Sequence, residues 1–175
     1  MHIRLANLND AEAVRSIYNL EVETAPVTFD LVPRSLEEQR EWIAARAGAH
    51  AVLVAVEDEE IVGFAALSPY RSKPAYSTSV ENSVYVHRDH QGKGIGDVLL
   101  GALVEAADQR GFHATFARIV GGHERSLSLH RKHGFHVVGV EREVGRKFGR
   151  WLDVVLMERL AGGAPIPPFE SRPDV

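Results

Sequence analysis

Three glycines in five residues, Gly92, Gly94 and Gly96, stand between a strand-like run and a long helical one. The run before them, Ser79–Val86 (SVENSVYV), is rich in β-branched residues. The run after them, Ile95–Gln109, repeats apolar side chains at helical spacing through Val98, Leu99, Ala102, Leu103 and Ala106. A strand that feeds a helix through so tight a turn commits the chain to a layered α/β architecture. Glycines in such a turn leave backbone N–H groups unobstructed by Cβ atoms, and the helix N-terminus adds a partial positive charge. The segment is therefore either a simple tight turn or a cradle for an anionic diphosphate. Two familiar phosphate motifs fit it poorly. A Walker loop needs a hydroxyl residue where Gly94 follows Lys93, and a dinucleotide fingerprint needs a third glycine where Asp97 stands.

The rest of the chain supplies a sheet for this unit to join. His2–Ala6 alternates as an opening strand, and Asn9 three residues before Glu12 predicts a capped helix carrying Ala13, Val14, Ile17 and Leu20. Ala25–Pro33 is expected as an ordered loop. Ser35 followed by Glu38 predicts a second helix, ending near Gly48. Ala51–Val56 and Ile61–Leu67 form a hairpin across the acidic turn Glu57–Glu60, and Ser68–Thr78 reads as a polar loop. Beyond the long helix come a strand at Phe112–Val120, a helix from Glu124 to His133, and strands Val137–Val144 and Trp151–Met157 joined by Gly145–Arg150. The order β-α-α-β-β-β-α-β-α-β-β mixes hairpins with crossovers, so the fold class is α/β (α+β) with a mixed sheet. At 175 residues the length suits one domain, with 1–160 as the folded unit and the Pro/Gly-rich 161–175 as a tail.

Composition narrows the function classes. The 45% hydrophobic and 25% charged residues belong to a globular protein, and no apolar run is long enough to span a bilayer, so no membrane partner is expected. The opening MHIRLANLND lacks a signal-peptide pattern, which predicts a cytoplasmic protein. A net charge of -4 argues against a chain whose main task is gripping nucleic acid. The absence of cysteine removes disulfides, thiolate metal sites and a cysteine nucleophile. His130, His133 and His136 suggest zinc by number, but Gly134-Phe135 breaks the helix between them, so no metal is expected.

One pattern does fit the turn. Gln91-Gly92-Lys93-Gly94-Ile95-Gly96 resembles the Q/R-x-x-G-x-G/A pyrophosphate loop of the GNAT superfamily of acetyl-CoA-dependent N-acetyltransferases. The element order over roughly residues 2–160 is similar to the same family. Ile17-Tyr18-Asn19, Val80–Val86 (VENSVYV), Leu129-His130-Arg131 with Gly134-Phe135, and Val144–Asp153 (VGRKFGRWLD) resemble one branch, the phosphinothricin and methionine sulfoximine/sulfone N-acetyltransferases.

The resemblance implies a mixed, mostly antiparallel central sheet flanked by helices and acetyl transfer from acetyl-CoA to the α-amine of a small amino-acid analogue. It places the cofactor on Val84, Tyr85 and Val86 through main-chain hydrogen bonds, and its pyrophosphate on Gln91, Gly92, Lys93, Gly94, Ile95, Gly96 and Asp97. The Val86 amide or a neighbour becomes the expected oxyanion donor. His123, where relatives carry asparagine, and Ser126 are expected to contact the cofactor at the start of the next helix. Glu81 corresponds to the family's proposed base, and His130 stands where many relatives place a tyrosine acid. Taken alone, Glu81 is an exposed strand glutamate and His130 a packing residue. For the acceptor, Phe29 is expected as an apolar wall, Arg71 as a carboxylate clamp with Lys73 as a weaker substitute, and Pro74, Ala75 and Tyr76 as loop neighbours. Lys147, Phe148 and Trp151 could line the pocket or a homodimer surface. Two other readings stay open: transfer to another small amine or a peptide N-terminus, and an acyl-CoA-binding sensor without turnover.

Overall fold

A computed structural model describes residues 1–163, so all but the first three residues of the expected tail lie outside the described residues. Seven strands form one sheet: β1 (His2–Leu5), β2 (Val52–Glu57), β3 (Glu60–Pro69), β4 (Ser79–Val86), β5 (Ala114–Val120), β6 (His136–Lys147) and β7 (Arg150–Leu160). Four helices flank it: α1 (Ala11–Thr24), α2 (Leu36–Ala44), α3 (Ile95–Gln109) and α4 (Glu124–Lys132). The spatial strand order is β1-β2-β3-β4-β5-β7-β6, and β4–β5 is the single parallel pair among otherwise antiparallel neighbours.

That parallel pair decides where a site can form. β4 and β5 stay in register only for Ser79↔Ala114, Val80↔Thr115 and Glu81↔Phe116. Beyond Glu81 they part, while β4 keeps its pairing with β3 to Val86 and β5 keeps its pairing with β7 to Val120. Backbone groups on the inner edges of the gap are therefore left without a strand partner. The amide of His87 donates to the Val62 carbonyl at 2.9 Å, on the β3 side. Strand alternation turns the N–H groups of Val86 and Val84 to the other edge, into the gap.

Helices cover both faces. On one, Val14, Ile17, Tyr18 and Val22 of α1 bury against Val54, Val56 and Phe64. On the other, α3 packs two stripes. Ile95, Leu99, Leu103 and Ala107 meet β2, β3 and β4, whereas Leu100 and Val104 meet Ala117, Ile119, Leu127, Phe135 and Met157. The helix thus straddles the parting of β4 and β5, and this shifts its buried face from the single expected stripe. Val98, expected inside, is 45% exposed.

Several boundaries differ from those expected, each for a local reason. The first cap is Asn7 with Asp10 across a 3-10 turn, Leu8–Asp10, and not Asn9 with Glu12; Arg4 holds Asp10 at 2.7 Å and fixes the choice. The Ser35–Glu38 capping box forms as expected, but α2 ends at Ala44 before Gly48 is reached. Strand β3 runs on to Pro69, and Pro74–Tyr76 makes a 3-10 turn in the segment read as a polar loop. Gly145 lies inside β6, not in the turn; the turn is Phe148-Gly149, both with positive φ (50° and 73°).

Candidate active site

The gap between β4 and β5 opens into a cleft of about 660 Å³ that runs from the glycine turn to the α1–α2 loop. Gly94 caps α3 with φ +83°, and the amides of Asp97 and Val98 return to its carbonyl at 3.1 and 3.2 Å. Gly92 has φ +79°, and no atom lies within 4 Å of where a Cβ would stand on either glycine. The turn is therefore an open concavity at a helix N-terminus, lined by backbone, and a diphosphate fits it by charge and by space. Gln91 closes the turn back onto the strand by donating from its side chain to the Val86 carbonyl at 3.3 Å.

Most of the residues expected around a cofactor meet here. Val84, Tyr85, Val86, Gln91, Gly92, Gly94, Ile95, Gly96, Asp97, His123 and Ser126 all line the cleft, and so do Glu81, His130 and Phe29. Two of them arrive in unexpected roles. The ring of Tyr85 packs on the α1 side, stacked on Phe64 at 5.1 Å and edge-on to Tyr18 at 5.2 Å, with its hydroxyl hydrogen-bonded to Thr28. The Asp97 carboxylate is taken up by α4: it accepts from Lys132 Nζ at 2.6 Å and pairs with His133 Nε2 at 2.9 Å, contacts that lower its pKa. A carboxylate in the first turn of α3 would repel an anion at the same helix end, and these two partners counter it. Lys93, expected on the pyrophosphate, is exposed and lies outside the lining.

Glu81 sits where the two strands separate. Burial raises the pKa of its carboxyl; nearby Arg118 opposes this and Glu141 reinforces it. Arg118 is occupied by a bidentate ion pair with Glu141 and so compensates Glu81 only in part. A carboxylate desolvated at the edge of a cleft is a better proton acceptor than one in water. Arg118, which also lines the cleft, escaped the sequence reading because nothing in its spacing announces that β5 carries it to Glu81.

His130 is buried, 4% exposed, with its ring edge-on to Phe135. Its Nδ1 lies 2.8 Å from the Ser126 carbonyl and its Nε2 lies 3.0 Å from Asn82 Oδ1, while Asn82 Nδ2 donates to the Phe116 carbonyl at 2.9 Å. Burial lowers the His130 pKa, the Ser126 contact raises it, and His133 and His123 lower it further. Burial is the largest of these effects and favours the neutral ring, whose single N–H can donate to one of these two oxygens but not to both. Asn82, another residue the sequence reading passed over, spans the parting strands: its side chain supplies the Phe116 carbonyl with a donor where the ladder stops. Asn82→Leu is expected to destabilise the fold by about 1–3 kcal/mol, the cost of buried polar groups left unpaired. Urea unfolding checks this, and an unchanged midpoint would show that the contact carries no stability.

The acceptor-side expectations divide. Phe29 is in the lining. Arg71, Lys73, Pro74, Ala75 and Tyr76 are exposed and outside it. Arg71 lies over the rings of Tyr70 and Tyr76 at 5.1 and 5.8 Å, and Pro74–Tyr76 forms a 3-10 turn beside it. Tyr70 of the same loop stacks at 4.1 Å on Phe116, the ladder partner of Glu81. The opposite wall is a network absent from the sequence reading. Tyr18 shares a hydrogen bond with Thr28 Oγ1 at 2.8 Å and donates to Asp30 at 2.6 Å, and burial pushes its pKa to about 12. Among the described residues no cluster of three metal-ligating side chains occurs, and no helix is long and apolar enough to cross a membrane.

Comparison with known proteins places these features. Residues 3–156 match the acetyltransferase (GNAT) domain family. The chain is 44% identical over 154 residues to the phosphinothricin N-acetyltransferase of Streptomyces coelicolor, covering 86% of this chain and 90% of that protein. It is 38% identical over 158 residues to the L-methionine sulfoximine/L-methionine sulfone acetyltransferase of Pseudomonas paraeruginosa, covering 89% and 92%. Among solved structures, a GNAT superfamily phosphinothricin acetyltransferase from Sinorhizobium meliloti in complex with acetyl-CoA superposes with a TM-score of 0.89 at 33% identity, covering 99% of this chain and 95% of that one.

Proposed function

The chain belongs to the GNAT acetyltransferase family and is an acetyl-CoA-dependent N-acetyltransferase; from that premise we propose that it acetylates the α-amine of phosphinothricin, methionine sulfoximine or methionine sulfone by direct transfer in a ternary complex. The observation that carries this reading is the position of Glu81: a carboxylate with a raised pKa, at the point where the open edge of β4 meets the acceptor side of one continuous cleft.

Acetyl-CoA supplies an activated acyl group. The protein residues supply position and proton transfer. The amides of Val84 and Val86 offer the strand edge on which a pantetheine arm can pair, and the Val86 amide is the proposed electrophilic support. Gly92, Gly94 and Gly96 hold the diphosphate with backbone N–H groups, with His123 and Ser126 at the start of α4 as further contacts. Glu81 takes a proton from the acceptor's ammonium, directly or through a water, so that the amine becomes nucleophilic. Phe29 walls the acceptor's side chain. Arg71 and Lys73, exposed cations of the rim loop, meet its carboxylate, with Pro74, Ala75 and Tyr76 shaping the same rim. His130, buried between Ser126 and Asn82, acts in this reading as the post fixing α4 to β4. It is not the acid.

A homodimer belongs to the same reading. β6 is the edge strand and exposes Val138, Val140 and Val144, with Phe148 and Trp151 at the adjoining hairpin turn, at 46–61% exposure. A long apolar edge invites a second copy. Light scattering behind size exclusion is expected to give twice the chain mass; a monomer across micromolar concentrations would refute the dimer. A cytoplasmic setting, where an acetyl-CoA-consuming enzyme meets its co-substrate, completes the proposal. Initial rates test the ternary complex. Varying acetyl-CoA at several concentrations of methionine sulfone is expected to give intersecting double-reciprocal lines, and parallel lines would indicate an acetylated enzyme instead.

A further inference from the structure

The terminal hairpin grips the α1–α2 loop at two points. A Cβ placed on Gly145 would stand 2.3 Å from Phe29 Cε2 and 2.6 Å from Cζ, so the aromatic ring lies directly on the bare backbone of β6. Two residues on, Lys147 is buried to 4% exposure, and its Nζ donates to the Thr28 carbonyl at 2.9 Å. Burial lowers the Lys147 pKa, and Asp30 and Glu21 oppose that. Thr28 and Phe29 both line the cleft on the side away from the glycine turn. Gly145 has no positive φ, so nothing in the backbone requires glycine there. What requires it is the ring.

We propose that Gly145 and Lys147 set the depth of the acceptor pocket, Gly145 by the recess it leaves for the Phe29 ring and Lys147 by tethering Thr28. The residues act through Phe29 and are positioning, specificity-determining residues, not catalytic ones. A methyl group at position 145 fills the recess and drives the ring off β6 toward the cleft. The far end of the pocket shortens, while the cofactor half, built from β4, α3 and α4, is untouched. Long acceptor side chains therefore lose more than short ones. The inference rests on the proposed acceptor side of the cleft, and its test separates the two.

The experiment compares wild type, Gly145→Ala, Phe29→Ala and the double variant, with methionine sulfone as the long acceptor and alanine as the short one. In Gly145→Ala the ratio of kcat/KM for long over short is expected to fall about tenfold, the scale of a one-methylene change in an apolar pocket. KM for acetyl-CoA and the melting temperature should stay near wild type. In the Phe29→Ala background the same glycine substitution is expected to do nothing, because the group it displaces is gone. An unchanged ratio, or an equal effect with and without Phe29, would overturn the inference. Lys147→Met should lower the same ratio without moving the acetyl-CoA KM; an acetyl-CoA KM that rises with it would also overturn the assignment. If wild type acetylates no amino acid, the proposed function fails. The inference is then decided by 19F spectra of protein containing fluorophenylalanine, with the Phe29 resonance assigned by its loss in Phe29→Ala. That signal shifts in Gly145→Ala if the ring occupies the recess and stays in place if it does not.

Discussion

Glu81→Gln is expected to lower kcat by about 10²- to 10⁴-fold at pH 7, the range over which a positioned general base contributes, and at the same time to make the protein more stable. The two effects have one cause. Burial raises the Glu81 pKa above its ordinary 4.5, and Arg118 offsets this only partly because Glu141 occupies it. A carboxyl whose pKa is higher in the folded than in the unfolded chain favours folding while protonated, and that contribution is lost as pH rises through the folded value. At neutral pH the ionised Glu81 therefore costs stability, and the neutral glutamine removes that cost. The activity follows the opposite sign. The base must be ionised to accept a proton, so kcat falls as pH drops through the raised Glu81 value. Glutamine should abolish that limb of the profile. Thermal melts and pH–rate profiles of the same two proteins check both statements. A variant that is slower but no more stable would contradict the burial argument, and one with full activity from pH 6 to pH 9 would remove Glu81 as the base.

Gly94→Val is expected to raise the KM for acetyl-CoA by about 5- to 150-fold with little change in the KM for the acceptor. Gly94 sits at φ +83° as the cap of α3. A β-branched residue there is held in a region that costs about 1–3 kcal/mol, and about 1.4 kcal/mol is a factor of ten in binding. The substitution also puts a side chain into the concavity that the amides of the turn line, where no atom now stands within 4 Å. Asparagine tolerates the left-handed region better than other non-glycine residues. Gly94→Asn should therefore bind acetyl-CoA more tightly than Gly94→Val, although less tightly than wild type. Equal KM values for all three proteins would mean that the turn does not hold the diphosphate. Calorimetry with CoA alone checks the effect apart from turnover.

The cofactor half of the site was legible because it is local. A strand, three glycines and an amphipathic helix follow one another in sequence, and β4 and α3 have the expected boundaries, Ser79–Val86 and Ile95–Gln109. Backbone groups line that turn, and glycine spacing encodes backbone geometry directly. The acceptor half is assembled from distant pieces, and sequence reading fared worse. Gly145 looks like a turn residue until Phe29, more than a hundred positions earlier, is found against it. Asn82 looks like one more polar residue on a strand until the parting of β4 and β5 gives its amide a carbonyl on one side and His130 on the other. Tyr18 was noticed only as part of a resemblance, since its partners Thr28 and Asp30 reach it through the fold of the α1–α2 loop. Arg71, expected as a carboxylate clamp, lies outside the cleft lining and over its own neighbouring tyrosines, a placement that sequence spacing does not encode. The misplaced face of α3 has a similar origin, because periodicity identifies an apolar stripe but not that a helix bridges two packing clusters.

The central claim is that one cleft brings an acyl donor and an amino-acid amine together at Glu81. Incubation of the protein with acetyl-CoA and a panel of acceptors (phosphinothricin, methionine sulfoximine, methionine sulfone, polyamines and a peptide with a free N-terminus), followed by thiol detection and mass analysis of the products, tests it most directly. The account predicts acceptor-dependent thiol release and an N-acetylated α-amine for the three amino-acid analogues, with the polyamines and the peptide far slower. Tight CoA binding without release from any amine would contradict it and leave an acyl-CoA sensor as the better description.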